Sequence, residues 1–252
     1  MNPARHPVTR NAEPIAILVY HQIETAPPKG QPFRSLYVAP QAFARQMRLL
    51  DLLGYRGLSM SELTPYLRGE KSGKVVGLTF DDGYLNNLTH ALPVLQKFGF
   101  SSTCYAVSSL AGKTNTWDAG IGIAQTQLMT DDEMVQWVAG GQEIGSHTQN
   151  HIDLYLADDA VAQSEIVKGT ADLEAVLKTP VQHFCYPFGH FEARHVDMVA
   201  AGRYTTATTT QRGRCHAGAS MLELPRVPVL KSTTLLLLWL KLASRYEDQR
   251  SI

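Results

Sequence analysis

Asp81 and Asp82 stand side by side where an apolar run ends, in Thr79-Phe80-Asp81-Asp82-Gly83-Tyr84. Adjacent carboxylates repel, and within a strand their side chains would point to opposite faces. At a strand's end, with Gly83 able to turn sharply, both can converge on one place. A metal ion would bind one of them and leave the other to move protons. Further along, Gly145-Ser146-His147-Thr148-Gln149-Asn150-His151 carries two histidines four apart. That spacing puts both imidazoles on one side of a helical turn, an arrangement that holds divalent metals. The glutamate of the zinc-protease H-E-x-x-H pattern is missing, so a base must come from elsewhere, and Asp81 or Asp82 can supply it. One carboxylate and two imidazoles make a facial triad with open positions. Taken singly, each motif has an ordinary reading as a solvated Asp-Asp-Gly turn or a surface histidine pair. Their shared position after apolar strands argues for chemistry.

Two further pieces also sit at expected strand ends: Phe184-Cys185-Tyr186-Pro187-Phe188-Gly189 and Val19-Tyr20-His21. The elements that must carry all four alternate between short β-branched runs and helical patterns. Ile15–Tyr20, Val75–Phe80, Ser102–Val107, Glu143–Ser146, His183–Tyr186, Tyr204–Thr209 and Arg226–Leu230 read as strands. Between them, Pro40 opens a helix with Phe43, Met47, Leu50 and Leu53 on one face and Gly54 as its stop. Ser59 with Glu62, and Thr130 with Glu133, have capping-box spacing. Leu88–Phe98 and Asp158–Leu177 are further helices. The long Gly-, Thr- and Asn-rich segment Ser108–Leu128 has the length of a functional loop. Strands buried on both faces and separated by helices imply a parallel sheet. A closed or partly closed β/α barrel accommodates that order and gathers chemistry at the C-terminal ends of its strands.

Composition removes several alternatives. Equal numbers of basic and acidic residues, 23 of each, give no global field for nucleic acid or an anionic membrane. The three cysteines have no C-x-x-C spacing, which argues against a disulfide framework and a thiolate-built metal site. Residues 1–14 are polar and proline-bearing, without the apolar core of a secretory signal, and are expected to be a flexible segment. The expectation from that leader is a cytoplasmic protein, with peripheral membrane association kept open. The apolar run Leu235–Leu242 is too short to span a bilayer and reads as a C-terminal helix packed on the domain.

The motifs resemble the polysaccharide deacetylase family, also called NodB-homology or family 4 carbohydrate esterases. Thr79–Gly83 matches T-F-D-D-G in full, and Ser146–His151 matches S-H-[ST]-x-x-H. The resemblance runs from about Ile15 to Val229. It implies a distorted, partly open (β/α)7-type α/β barrel in a single domain over residues 15–230, with residues 231–252 as the packed C-terminal helix. It also implies one divalent metal ion, zinc first, with nickel, cobalt or iron as alternatives. Carried over by position, Asp82, His147 and His151 are the expected metal ligands, and Asp81 is the base that takes a proton from the attacking water. The R-x-P-[FY] motif falls on Cys185-Tyr186-Pro187-Phe188, so its arginine is absent. The Phe188 backbone N–H remains as an oxyanion donor.

The family's late L-x-H strand, which supplies the general acid, is missing near the C-terminus. Leu18-Val19-Tyr20-His21 has that pattern near the N-terminus, similar to a subgroup that includes biofilm poly-N-acetylglucosamine deacetylases. On that reading His21 is the acid. Trp117 and Asp118 wall the substrate groove, Tyr186 orients substrate, and Arg226 supplies the charge that Cys185 cannot. The expected substrate is an acetylated amino-sugar glycan or its precursor, without nucleic acid or a membrane span. Competing readings are a hydrolase of a small amide, imide or formamide, and a sugar-binding module that has lost catalysis.

Overall fold

The computed structural model describes residues 13–250. The flexible segment expected at residues 1–14 falls almost wholly outside them. Among the described residues, eight strands lie in parallel: β1 (Ile17–Tyr20), β2 (Arg56–Leu58), β3 (Val75–Phe80), β4 (Thr103–Ala106), β5 (Glu143–Ser146), β6 (His183–Cys185), β7 (Thr206–Arg212) and β8 (Leu224–Pro228). Seven helices accompany them: α1 (Pro40–Leu52), α2 (Met60–Leu67), α3 (Leu92–Phe98), α4 (Asp131–Ala139), α5 (Asp159–Leu177), α6 (Ala193–Ala201) and α7 (Leu235–Ala243). The strand order β1-β8-β7-β6-β5-β4-β3 closes on itself because β1 also pairs with β3, and β2 lies outside on β3. The structure is therefore the expected distorted seven-strand barrel. Its ring is complete, and the thinnest seam is β5–β6, joined through the single partner pair Ser146–Phe184.

The first strand occupies the place between the eighth and third, which brings His21 to the same barrel end as Asp81 and Asp82. Burial drives this closure: every residue of β1 and β3 is buried. Outside that wall, the Tyr20, Phe43, Phe80 and Trp137 rings pack edge-on, tilted and stacked, with centroids 5.2–5.9 Å apart. They lock α1 and α4 onto β1 and β3, each contact adding to the large area such rings remove from water.

The Thr130/Glu133 capping box forms in full. The Ser59 box is half made: its hydroxyl accepts from the Glu62 N–H, but the Glu62 carboxylate accepts from Ser101 instead. α7 sinks Leu238 and Leu242 into the core beside α1. Lys241 turns inward too, donating to the Pro228 carbonyl and pairing with the fully buried Glu247. No helix among the described residues is long and apolar enough to cross a membrane.

Candidate active site and metal centre

The two carboxylates leave β3 in different directions because the backbone reverses immediately. Asp82 and Gly83 both take left-handed conformations, with φ of 74° and 79°. Gly83 also passes close to Ala106, where a Cβ would sit 3.4 Å from its Cα. Asp81 consequently points into the barrel mouth toward β8, and Asp82 toward the loop that follows β5. Both carboxylates are buried.

The His147–His151 spacing does not produce a helical turn, contrary to expectation. Thr148 and His151 adopt positive φ (65° and 57°), and the chain crosses α5 as an irregular loop. Helix α5 dictates this path. The Gln149 N–H donates to the Glu165 carbonyl, and the Asn150 N–H and side chain donate to the buried Glu165 carboxylate. Gly169 lets the loop lie against the helix, since a Cβ there would fall 2.6 Å from the Thr148 carbonyl carbon. Gly169→Ala is therefore expected to push the loop off α5. Stability should fall by about 1–3 kcal/mol, and the affinity of this candidate metal centre for zinc by about tenfold or more, as distorted support of such a set does. Calorimetric zinc titration and thermal melts would read both effects, and an unchanged zinc affinity would refute α5's control of the loop.

The imidazoles nevertheless meet. Nε2 of His147 and Nε2 of His151 lie 3.5 and 3.4 Å from Asp82 Oδ1, and ligand atoms of all three residues fall within 4.8 Å of one another. His147 Nδ1 is 2.8 Å from the Cys185 carbonyl, which can only accept, so the proton sits on Nδ1 and Nε2 offers its lone pair. The His151 Nδ1 has no such partner. Its ring is clamped instead, stacked on Trp117 at 4.2 Å and met edge-on by Phe188 at 4.7 Å. Burial would raise the Asp82 carboxyl, but the two imidazoles facing it outweigh that and hold it well below the usual range. Tyr84, which has no part in the sequence reading beyond its place in the motif, is buried beside Asp82. Burial first, and the Asp82 charge second, keep its phenol protonated well above the usual range.

Arg226 reaches across the barrel from β8, almost fully buried, and grips Asp81 with two 2.7 Å hydrogen bonds, one to each oxygen. Its remaining donors go to Thr79 Oγ1, the Thr209 carbonyl and Cys185 Sγ. The charge absent at Cys185 on β6 is thus returned from β8, two strands away, and the small thiol lies against the guanidinium. Burial alone would raise the Asp81 carboxyl; the Arg226 charge and hydrogen bonds reverse that and leave it below the ordinary value. His21 lies on the other side of Asp81, Nε2 to Oδ2 3.9 Å, with a quarter of its side chain exposed.

Asp81, Asp82, Tyr84, His147, His151 and His21 open into one cavity of about 420 Å³, which Trp117, Asp118, Tyr186 and Phe188 also line. Trp117 has one ring face committed to His151, so it orients that imidazole as well as walling the groove. Asp118 accepts from Asn115, a fully buried residue that also ties down the Thr126 N–H and so fixes this stretch of the long loop. The Tyr186 hydroxyl donates to the Leu222 carbonyl and its ring stacks on Phe191, which leaves it holding the turn rather than offering a free hydroxyl. Phe188 has φ of 58°, in a turn closed by Gly189 N–H to the Tyr186 carbonyl. Asp82, Thr148, His151 and Phe188 are four of the seven non-glycine residues with positive φ among those described. Each such residue costs on the order of 1 kcal/mol, and such strain gathers where function constrains the backbone.

A parallel β/α barrel with paired carboxylates and histidines at its C-terminal mouth is an arrangement that suits hydrolytic chemistry. The family model for polysaccharide deacetylases matches residues 68–207, and the chain belongs to that family. The solved Streptococcus pyogenes deacetylase PplD, in complex with acetate, superposes with a TM-score of 0.80. It is 27% identical, with coverage of 91% of this chain and 98% of that one. YxkH of Bacillus subtilis, named for polysaccharide deacetylation, is 27% identical over 223 residues, 88% of this chain and 73% of that protein. The poly-β-1,6-N-acetyl-D-glucosamine N-deacetylase of Escherichia coli is 25% identical over 80% of this chain, which spans only 35% of that enzyme.

Proposed function

We propose that this polysaccharide deacetylase family member removes N-acetyl groups from an acetylated amino sugar or its polymer in a metal-dependent hydrolysis. Asp82, His147 and His151 would hold one divalent ion, zinc before nickel, cobalt or iron. The donor set fits: an anionic carboxylate and two imidazoles, at least one with its Nε2 lone pair turned inward, bring their ligand atoms within 4.8 Å of one another. The observation that carries the proposal is the meeting of this set in one groove with His21 and with Asp81, which Arg226 grips.

A bound divalent ion would supply Lewis-acid polarisation of the acetyl carbonyl and acidify water. Asp81 takes the proton of the attacking water. Each carboxylate oxygen has two lone pairs, so it does this without leaving the Arg226 fork. The Phe188 backbone N–H offers a donor to the developing oxyanion. His21 delivers a proton to the departing amine, which is too poor a leaving group to depart as an anion. Trp117 and Asp118 bound the sugar. The acetate held by the S. pyogenes relative and the polymer named for the E. coli one both support this substrate class.

The test is acetate release from N-acetylglucosamine oligomers by zinc-loaded protein, chelated protein and His21→Ala. Release should stop on chelation and return with zinc, and His21→Ala should lose about two to three orders of magnitude in kcat. Undiminished turnover after chelation, with zinc shown to be gone, would sink the metal role. Near-full turnover by His21→Ala would remove it as the acid.

A further inference from the structure

Sugars are usually gripped by hydrogen bonds along a groove, but much of this groove is apolar. Outside the proposed catalytic set, several of its polar side chains already have partners in the protein. Gln22 accepts from Asn86, Asp118 accepts from Asn115, His190 pairs with Asp153, and Thr210 donates to the Phe188 carbonyl. Much of the remaining lining is apolar. Phe33 and Leu36 come from the loop after β1, Ile121 and Ile123 from the loop after β4, and Phe188 from the turn after β6. Phe33, Ile121 and Phe188 are 52%, 60% and 44% exposed.

These three are among only twelve large apolar side chains strongly exposed in the described residues, and three more are neighbours on α7: Leu235, Leu236 and Trp239. The approach to α7 is tied to the Phe33 loop by the Lys231 N–H bonding the Ser35 carbonyl. Clustered exposed apolar side chains of this kind mark a binding surface, whereas scattered ones need no explanation. Phe33, Ile121 and Phe188 line the groove that holds Asp81, Asp82 and His21, where the part of a substrate next to the reacting sugar would lie.

Resting on the deacetylase reading, we propose that the preferred substrate is an N-acetylated amino sugar joined to a hydrocarbon aglycone, with the sugar at the Asp82–His147–His151 centre. The hydrocarbon lies between the Phe33–Leu36 and Ile121–Ile123 walls and continues toward α7. Recognition is mainly by apolar burial, which full enclosure makes worth about a fourfold gain per methylene and a partly open groove less.

The experiment compares acetate release from methyl and octyl β-glycosides of N-acetylglucosamine, at concentrations where octyl glycoside is monomeric. The proteins are the wild type and the double variant Phe33→Ser/Ile121→Ser, both substitutions at exposed positions. Wild-type kcat/KM should be at least about tenfold higher for the octyl glycoside, chiefly through KM, and the double variant should bring that ratio below about threefold. A wild-type ratio within about twofold would overturn the inference, as would a full octyl advantage surviving in the variant. Release from N-acetylglucosamine oligomers but from neither glycoside would overturn it while leaving the deacetylase reading intact. No release from any of the three would end that reading and this one with it.

Discussion

Exchanging Asp81 for asparagine is expected to lower kcat by at least about a thousandfold, while zinc affinity stays within a few-fold because Asp82, His147 and His151 remain. The amide cannot take a proton from water, so the loss tests the base directly. A second effect accompanies it. Arg226 is almost fully buried with both terminal nitrogens on the Asp81 oxygens. Asparagine leaves that guanidinium without a counter-charge and presents it with an amide nitrogen, and breaking a buried pair in this way costs about 3–5 kcal/mol. Low turnover could then reflect a partly unfolded population, and a second variant separates the two effects. Asp81→Asn/Arg226→Met removes the stranded charge and should recover much of the lost stability, since replacing both partners of a buried pair is often neutral. It should recover none of the turnover. Thermal melts beside acetate release check this, and a double variant with wild-type turnover would show that Asp81 is not the base.

The proposed catalytic set is largely legible in the sequence because of where β3 and β5 stop. Val75–Phe80 is an apolar run and Glu143–Ser146 a short strand, and in a parallel barrel the next residues must emerge at the mouth. Asp81, Asp82 and His147 are those residues. His21 is legible for the same reason, although its place between β8 and β3 depends on strand pairing that periodicity cannot supply. What the sequence conceals is held by contacts distant along the chain. The loop from His147 to His151 looks helical by spacing, but Glu165 and Gly169 on α5 draw it into a left-handed path. Nothing in the residues of α5 marks two of them as partners of a loop fifteen or more positions earlier. Trp117 reads as a sugar platform because an aromatic ring in a loop near a site suggests stacking, whereas its position over His151 depends on the Asn115 anchor. β2 leaves no sequence signal because three residues, Arg56-Gly57-Leu58, are too few to show a period. The helix α6, also outside the sequence reading, adds cover on the α5 side of the barrel.

Arg226→Met should separate the orienting charge from the base it orients, because it leaves Asp81 chemically intact. Two opposing influences act on the Asp81 carboxyl: burial raises it, and Arg226 lowers it by charge and hydrogen bonding, with net depression. In the wild type, a folded-state value below the unfolded one means that Asp81 contributes stability at neutral pH. That contribution is lost as the pH falls through the folded value. Removing Arg226 leaves burial opposed only by His21 and His147, so the carboxyl rises and the sign reverses: the ionised form now destabilises the fold at neutral pH, and acidification relieves part of that cost. Asp81 must be ionised to accept a proton, so the acid limb of kcat/KM against pH should move to higher pH. At neutral pH kcat should drop by about a hundredfold or more, as the carboxylate also loses the fork that fixes its orientation. Cys185 cannot compensate, being an uncharged thiol against the vacated position. Arg226→Lys should restore the acid limb more fully than the rate, since a point charge replaces the electrostatic effect but not the bidentate geometry. An unchanged pH profile with unchanged turnover in Arg226→Met would show that the guanidinium serves packing alone, and that Asp81 is oriented by its place at the end of β3.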